Sequence, residues 1–321
     1  MELNVSSAIV GVVGILAACT GTQAHVTTPP DPQSRAAVVA PDALLTPIAP
    51  DYAARWLGAE EPLRIHGNTY LVGFSGMDVG LIRTSDGLIL IDGALPQAVP
   101  AIIENLARLG FRIEDVKFIL STEPHFDHAG GLAALARASG ATVVASPQAA
   151  EVLRRGRSGG DDPQAASLLP FPAVANVRTI ADNETLTVGD VTVTAHATPG
   201  HTPGSMSWGW RSCEADDCRA VVFGSSLNPV AADGYRFGDP ANRALSDGFR
   251  RTFALLRTLP CDILISAHPD QAGVDEHLRA FRRSPVPNPF IDPTSCRTYA
   301  DKYERLFEAR LERERAGTAD D

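Results

Sequence analysis

Hydrophobic residues fall in short blocks along the chain, each bounded by glycine, aspartate or proline, and the blocks form two successions. The first opens with strand-like runs at residues 69–72, 79–83 and 88–91, divided by turn signals at Gly73, Ser75-Gly76 and Asp86-Gly87. Residues 96–109 have apolar positions at helical spacing, with proline near the start and Gly110 just past the end. Residues 117–120 predict a buried strand. A helix at 129–138, a strand at 142–145 and a helix at 148–155 follow, then a loop rich in Gly, Asp and Pro at 156–163. The second succession predicts strands at 177–180, 184–188 and 191–197, the last two joined across Gly189-Asp190, a hairpin signal. Strands at 205–210 and 220–223, a helix at 245–259, a strand at 262–266 and closing helices complete it. Strands lead each half and helices cover them, which predicts an α/β protein of two packed sheets with outer helices.

The amino end reads differently. Residues 5–18 form an apolar run too short to cross a bilayer as a helix and suited to a signal-peptide core. Leu16-Ala17-Ala18-Cys19 resembles a bacterial lipobox, which implies acylation of Cys19; Met1-Glu2-Leu3-Asn4 lacks the Lys or Arg such leaders carry, and a cut after Ala24 is the other expectation. Residues 20–50 are rich in Thr, Pro, Ala and Asp without apolar period, the composition of a flexible tether, so one domain is expected over 51–321.

Net charge and cysteines narrow the setting. A formal charge of −10 excludes a polyphosphate-binding surface, so no nucleic-acid partner is expected, and membrane contact only through Cys19. Arginines alternating with glutamates over 305–315 predict a solvated helix face. Beyond Cys19 stand Cys213, Cys218, Cys261 and Cys296, an even set suited to disulfides in the periplasm or another oxidising compartment. Cys213 and Cys218 bracket the polar turn Glu214-Ala215-Asp216-Asp217, which suggests a hairpin-tip pairing and leaves Cys261 for Cys296. A four-cysteine zinc knuckle is the weaker alternative, since no C-x-x-C occurs.

Candidate chemistry concentrates in Glu123-Pro124-His125-Phe126-Asp127-His128-Ala129-Gly130-Gly131, directly after a buried strand. Pro124 biases Glu123 to extended backbone, and in an extended stretch Glu123, His125 and Asp127 emerge on one side while His128 faces elsewhere. Four borderline-to-hard ligands in six positions predict a metal site. His201, in the rigid Thr198-Pro199-Gly200-His201-Thr202-Pro203-Gly204-Ser205 loop, and His268, just after the strand at 262–266, stand at corresponding strand ends and become third ligands.

These segments, with Ala267-His268-Pro269 and Gly87-Leu88-Ile89-Leu90-Ile91-Asp92-Gly93, resemble the metallo-β-lactamase superfamily from about Gly67 to Phe281. Within it the likeness is to subclass B3, because Asp127 and His128 adjoin without a cysteine ligand and Gly224-Ser225-Ser226-Leu227-Asn228-Pro229 resembles the substrate-side loop. The resemblance implies an αββα sandwich and two Zn²⁺ ions, one held by Glu123, His125 and His201, the other by Asp127, His128 and His268. It further implies hydrolysis of the β-lactam amide by a metal-bridging hydroxide that Asp127 orients, with Ser226 and Asn228 on the substrate carboxylate and a monomeric enzyme. Glu123 departs from the family pattern, which begins with His; glutamate is a competent zinc ligand whose charge weakens the Lewis acid. Asp92 is expected to orient a ligand, His196 to give support, and His25, His66 and His277 to be structural or surface residues. Lactone, thioester or sulfate-ester hydrolysis, or a degenerate metal-binding protein, are the other readings. No S-x-x-K is present and no G-x-S-x-G elbow joins a predicted strand to a helix, so serine catalysis of those kinds is excluded.

Overall fold

A computed structural model describes residues 42–317. The expected leader, Cys19 and most of the expected tether lie outside the described residues. After the short helix α1 (Ala53–Trp56), the first sheet runs β1 (Leu63–His66), β2 (Thr69–Leu71), β3 (Gly80–Thr84), β4 (Gly87–Ile91), β5 (Val116–Leu120), β6 (Thr142–Ala145) and β7 (Val177–Thr179), in that spatial order. Its first four strands pair antiparallel and the rest parallel. Helices α2 (Val99–Arg108), α3 (Phe126–Ala129), α4 (Leu132–Ser139) and α5 (Pro147–Arg155) are the crossovers. The second sheet is β8 (Thr185–Val188), β9 (Val191–Ala197), β10 (Met206–Glu214), β11 (Asp217–Gly224) and β12 (Ile263–Ser266), antiparallel except for β11 with β12. Helices α6 (Arg243–Leu256), α7 (Pro269–Ala272), α8 (Val274–Arg283) and α9 (Ser295–Ala316) accompany it.

The two-residue strand period explains the layering. On β4, Leu88 and Leu90 pack toward Ile102, Leu106 and Leu132 of the helices, whereas Ile89 and Ile91 face Trp208, Phe223 and Ile265 of the other sheet. A strand buried on both faces is apolar throughout, which is why β4 reads as an unbroken hydrophobic run. On the outer face of the second sheet Val222 and Leu264 meet Phe249 and Phe253 of α6 and Phe307 of α9. The layers are thus helix, sheet, sheet, helix, the expected αββα sandwich. Local signals agree: Ser146 caps α5 by accepting from Ala149 N at 3.1 Å, Pro147 starts it and Gly156 ends it at φ 68°.

Three elements depart from the sequence reading. β1 has no counterpart in the sequence pattern, because Leu63-Arg64-Ile65-His66 is too short and mixed to show a period. The hairpin of β10 and β11 extends past its apolar portion, where backbone pairing and a disulfide hold polar residues in strand form. The single helix expected at 129–138 breaks at Gly130-Gly131: a Cβ on Gly131 would lie 2.1 Å from Gly93 O, so the chains touch there. In addition, residues 42–50, expected as tether, pack on the domain. Asp42 pairs with Arg137, and Gln97 exchanges hydrogen bonds with Ile48 N and O at 3.1 and 2.7 Å.

Both expected disulfides form, Cys213–Cys218 and Cys261–Cys296. The second joins the segment before β12 to α9. At the far end of α9 the buried Glu314 carboxylate accepts from Phe237 N at 3.0 Å, Gly238 N at 2.7 Å and Arg310 Nε at 2.9 Å, pinning the loop after β11. Because the second bridge separates its cysteines by 35 positions and the first by 5, loss of Cys261–Cys296 is the costlier. Serine replacement of that pair is expected to lower unfolding free energy by about 2–4 kcal/mol, and urea unfolding of the two double variants should show the order.

Candidate metal centre

β5 delivers the ligand segment to the seam between the sheets. Asp92, buried at the end of β4, accepts from Thr122 N at 2.7 Å and Thr122 Oγ1 at 2.6 Å. From the second sheet Met206 N donates to Thr122 O at 2.7 Å and Trp208 Nε1 to Ser121 O at 3.3 Å. Held from both sides, Glu123 is completely buried. His125 is still extended, at φ −90° and ψ 152°, and its carbonyl accepts from His128 N and Ala129 N at 3.0 and 2.7 Å. Helix α3 therefore starts at Phe126. Asp127 consequently does not continue the face of Glu123 and His125, as an extended stretch predicted; the helical turn sends it with His128 toward His268.

Two sets of side chains result, Glu123 with His125 and His201, and Asp127 with His128 and His268, each offering ligand atoms within 4.8 Å of one another. Glu123 Oε1 lies 3.0 Å from His128 Nε2 and 3.4 Å from His201 Nε2. Asp127 Oδ2 lies 3.5 Å from His128 Nε2 and 3.4 Å from His268 Nε2. His201 arrives on the Pro199–Pro203 loop, which α6 buttresses: Thr252 Oγ1 donates to Pro199 O at 2.9 Å, and a Cβ on Gly200 would meet the Phe249 ring at 2.4 Å. His268 caps α7 directly after β12, its ring 5.6 Å from that of Trp56.

The far atom of most of these groups is already engaged. His128 Nδ1 faces Asp92 Oδ2 at 3.2 Å, in the orienting role expected of Asp92. His125 Nε2 donates to Asp162 Oδ2 at 2.8 Å, and His201 Nδ1 donates to Asn228 O at 2.8 Å. Ser226 N donates to Glu123 Oε2 at 2.8 Å. What is left over points inward: Glu123 Oε1 is buried without a hydrogen-bond donor although ring nitrogens surround it. A buried carboxylate oxygen ringed by imidazole nitrogens is a donor set that a divalent cation satisfies once the histidines are neutral.

Other expected residues sort themselves by position. Ser226 is buried, and what it gives the site is its backbone N–H rather than an exposed hydroxyl. Asn228 lines a cleft of about 390 Å³ with Arg55, Trp56, His268, Asp270 and Gln271. His66, His196 and His277 belong to neither ligand set; His66 is buried 3.6 Å from Asp217, and His277 packs on Phe290. Sequence reasoning missed Trp56, Asp162 and Gln164, whose side-chain nitrogen lies 3.2 Å from His201 Nε2. The loop signal around Asp162 was visible, but an aspartate in such a loop reads as a turn former.

Charge and burial oppose one another here. Burial pushes the Glu123 and Asp127 carboxyls up, yet the neighbouring histidines, His128 above all, outweigh it and hold both below the usual range. Burial likewise disfavours charge on His128, but Glu123, Asp127 and Asp92 raise it well above the ordinary histidine value. His201 stays low because burial prevails. A metal takes neutral imidazole, so protons compete with it. Divalent-metal affinity is expected to fall as pH drops, and the decline should begin above the range of a free histidine because His128 holds its proton tightly. Metal titrations of the metal-stripped protein across pH 5 to 9 (a range of about four units around the ordinary histidine value) would show this. Glu123→Ala should reduce occupancy of the set containing His125 and His201; unaltered occupancy, read by elemental analysis after dialysis, would remove Glu123 from the ligands.

Comparison with known proteins agrees with this geometry. The model of the metallo-beta-lactamase superfamily matches residues 72–268. A solved B3 metallo-beta-lactamase with an active-site glutamic acid is 50% identical, with 86% of this chain and 99% of that one covered at a TM-score of 0.79. Rm3 metallo-beta-lactamase is 44% identical over 84% and 100%, at 0.80, and MEM-A1, a subclass B3 enzyme from a soil metagenome library, 43% over 82% and 99%, at 0.78. The hydroxyacylglutathione hydrolase of Anaeromyxobacter dehalogenans is 33% identical over 52% of each chain, and an uncharacterized Bacillus subtilis protein 32% over 40% of this chain and 54% of its own. The chain thus spans about half the length of these curated relatives. Fold, ligand chemistry and likeness converge: the chain belongs to the metallo-β-lactamase superfamily, whose fold implies divalent-metal binding, and it is a hydrolase of the subclass B3 type.

Proposed function

We propose that the protein opens the amide bond of β-lactam antibiotics, with one Zn²⁺ at each of the two ligand sets. The observation that carries this is the glutamate-containing set itself: Glu123 stands, fully buried and oriented, in a chain half identical to a B3 enzyme that has an active-site glutamic acid. Zinc bound there supplies Lewis-acid polarisation of a carbonyl and a nucleophile from water at neutral pH. The chain supplies the rest. Asp127 accepts a hydrogen bond from the attacking water and orients it. Asn228, on the cleft wall, donates its amide to the substrate carboxylate, and Trp56 gives an apolar surface beside His268. Glu123 adds a negative charge where a histidine would be neutral, which lowers the electrophilicity of the site.

The similarity to hydroxyacylglutathione hydrolase supports a second reading, hydrolysis of a thioester, with lactones and sulfate esters as related substrates, but it extends over only 52% of each chain. The disulfides suit export to the periplasm, where a β-lactamase would confer antibiotic resistance as a monomer, free or anchored through Cys19. Purified, zinc-loaded protein is expected to turn over at least one of a penicillin, a cephalosporin and a carbapenem, and a chelator should abolish the activity. No turnover at full zinc occupancy would shift the assignment to the thioester reading, and absence of bound zinc would end both.

A further inference from the structure

The loop after α5 reaches the centre at Asp162 and Gln164, and we infer that Asp162 is a positioning residue: its carboxylate fixes His125 in the tautomer that presents Nδ1 to a metal. This rests on the reading that the Glu123, His125 and His201 set binds a divalent cation. Both groups are buried, and His125 Nε2 lies 2.8 Å from Asp162 Oδ2. An ionised carboxylate has no proton to give, so the hydrogen in this contact sits on Nε2 and the lone pair is left on Nδ1. The other carboxylate oxygen accepts from Gln164 N at 2.8 Å. Asp162 N donates to Gly159 O at 3.1 Å, and Ala165 N to Asp162 O at 3.1 Å, so the residue is held by its own loop before it touches the histidine.

The loop is in turn tied to the opposite wall. Ala232 N donates to Pro163 O at 2.9 Å, and the segment containing Ala232 begins at Ser226 and Asn228, which orient Glu123 and His201. All three members of one ligand set are thereby aimed by two segments that are bonded to each other. Asp92 performs the same service for His128 in the other set, so each set contains one histidine backed by a carboxylate.

Asp162→Asn tests the assignment. Asparagine keeps the shape but offers one acceptor to two N–H donors, Gln164 N and His125 Nε2. If Gln164 keeps it, the amide N–H faces Nε2 and drives the imidazole proton onto Nδ1, where it blocks ligation. Metal-stripped protein would be titrated with Zn²⁺ against a chromophoric chelator, with circular dichroism to verify folding. One of the two zinc affinities is expected to weaken by about 10–100-fold while the other is unchanged, and Asp162→Ala should change affinity in the same direction. A residue serving only to fold the loop would lower thermal stability and leave both affinities intact, which would overturn the proposal. Failure of the native protein to bind zinc would instead overturn the metal reading beneath it. Should neither variant fold, proton NMR of the zinc-loaded native protein is expected to show a far-downfield, slowly exchanging Nε2 proton on His125, and its absence would be equally decisive against the assignment.

Discussion

Two carboxylates, Glu123 and Asp127, are buried side by side at the seam of a sandwich, and the surrounding structure answers to that fact. Removing an ionised group from water costs several kcal/mol unless charge of the opposite sign and hydrogen bonds replace the solvent. Here the replacement comes from three histidines, His128, His201 and His268, and from backbone N–H groups such as that of Ser226. Each of those partners belongs to a different stretch of chain. The cluster is therefore a point at which β5, the loop after β9, the loop after β11 and the end of β12 must all arrive together.

The sheets make that meeting reproducible. β5 sits between two parallel neighbours, so its carboxyl end is fixed in direction, and the bonds from Met206 and Trp208 transfer that register to the second sheet. Distances within the ligand sets are set by strand ends rather than by loop flexibility. Where loops do contribute, as at His201, a helix supports them through direct contact with the backbone. A hydrolytic centre needs such rigidity because its ligands must hold their separation when solvent and substrate exchange.

Much of this was legible in the sequence for physical reasons. Strands buried on both faces announce themselves by continuous apolar runs, as β4 does, and a cluster of acid and histidine residues at a strand end has few other uses. The pairing of the cysteines followed from a polar turn. The parts that escaped share another cause. β1, the ends of the β10–β11 hairpin and the division between α3 and α4 depend on partners distant in sequence, namely backbone pairing, a disulfide and the contact of Gly131 with Gly93. Asp162 escaped for the same reason, since its meaning comes from His125, 37 positions away. The local cue for Asp127 was misleading: an extended stretch was the natural expectation after Pro124, and helix initiation at Phe126 replaced it.

Glu314 gives the carboxyl end of the chain an unexpected say over the centre. Its carboxylate receives the backbone of Phe237 and Gly238, and the same loop begins at the residues that steady Glu123 and His201. A tag or fusion partner appended after Asp321 leaves Glu314 in the chain, whereas a version of the gene cut back to before Glu314 would strip that anchor away. The carboxyl-terminal helix thus reaches the centre through one buried acid, far downstream of Ser226 in the chain.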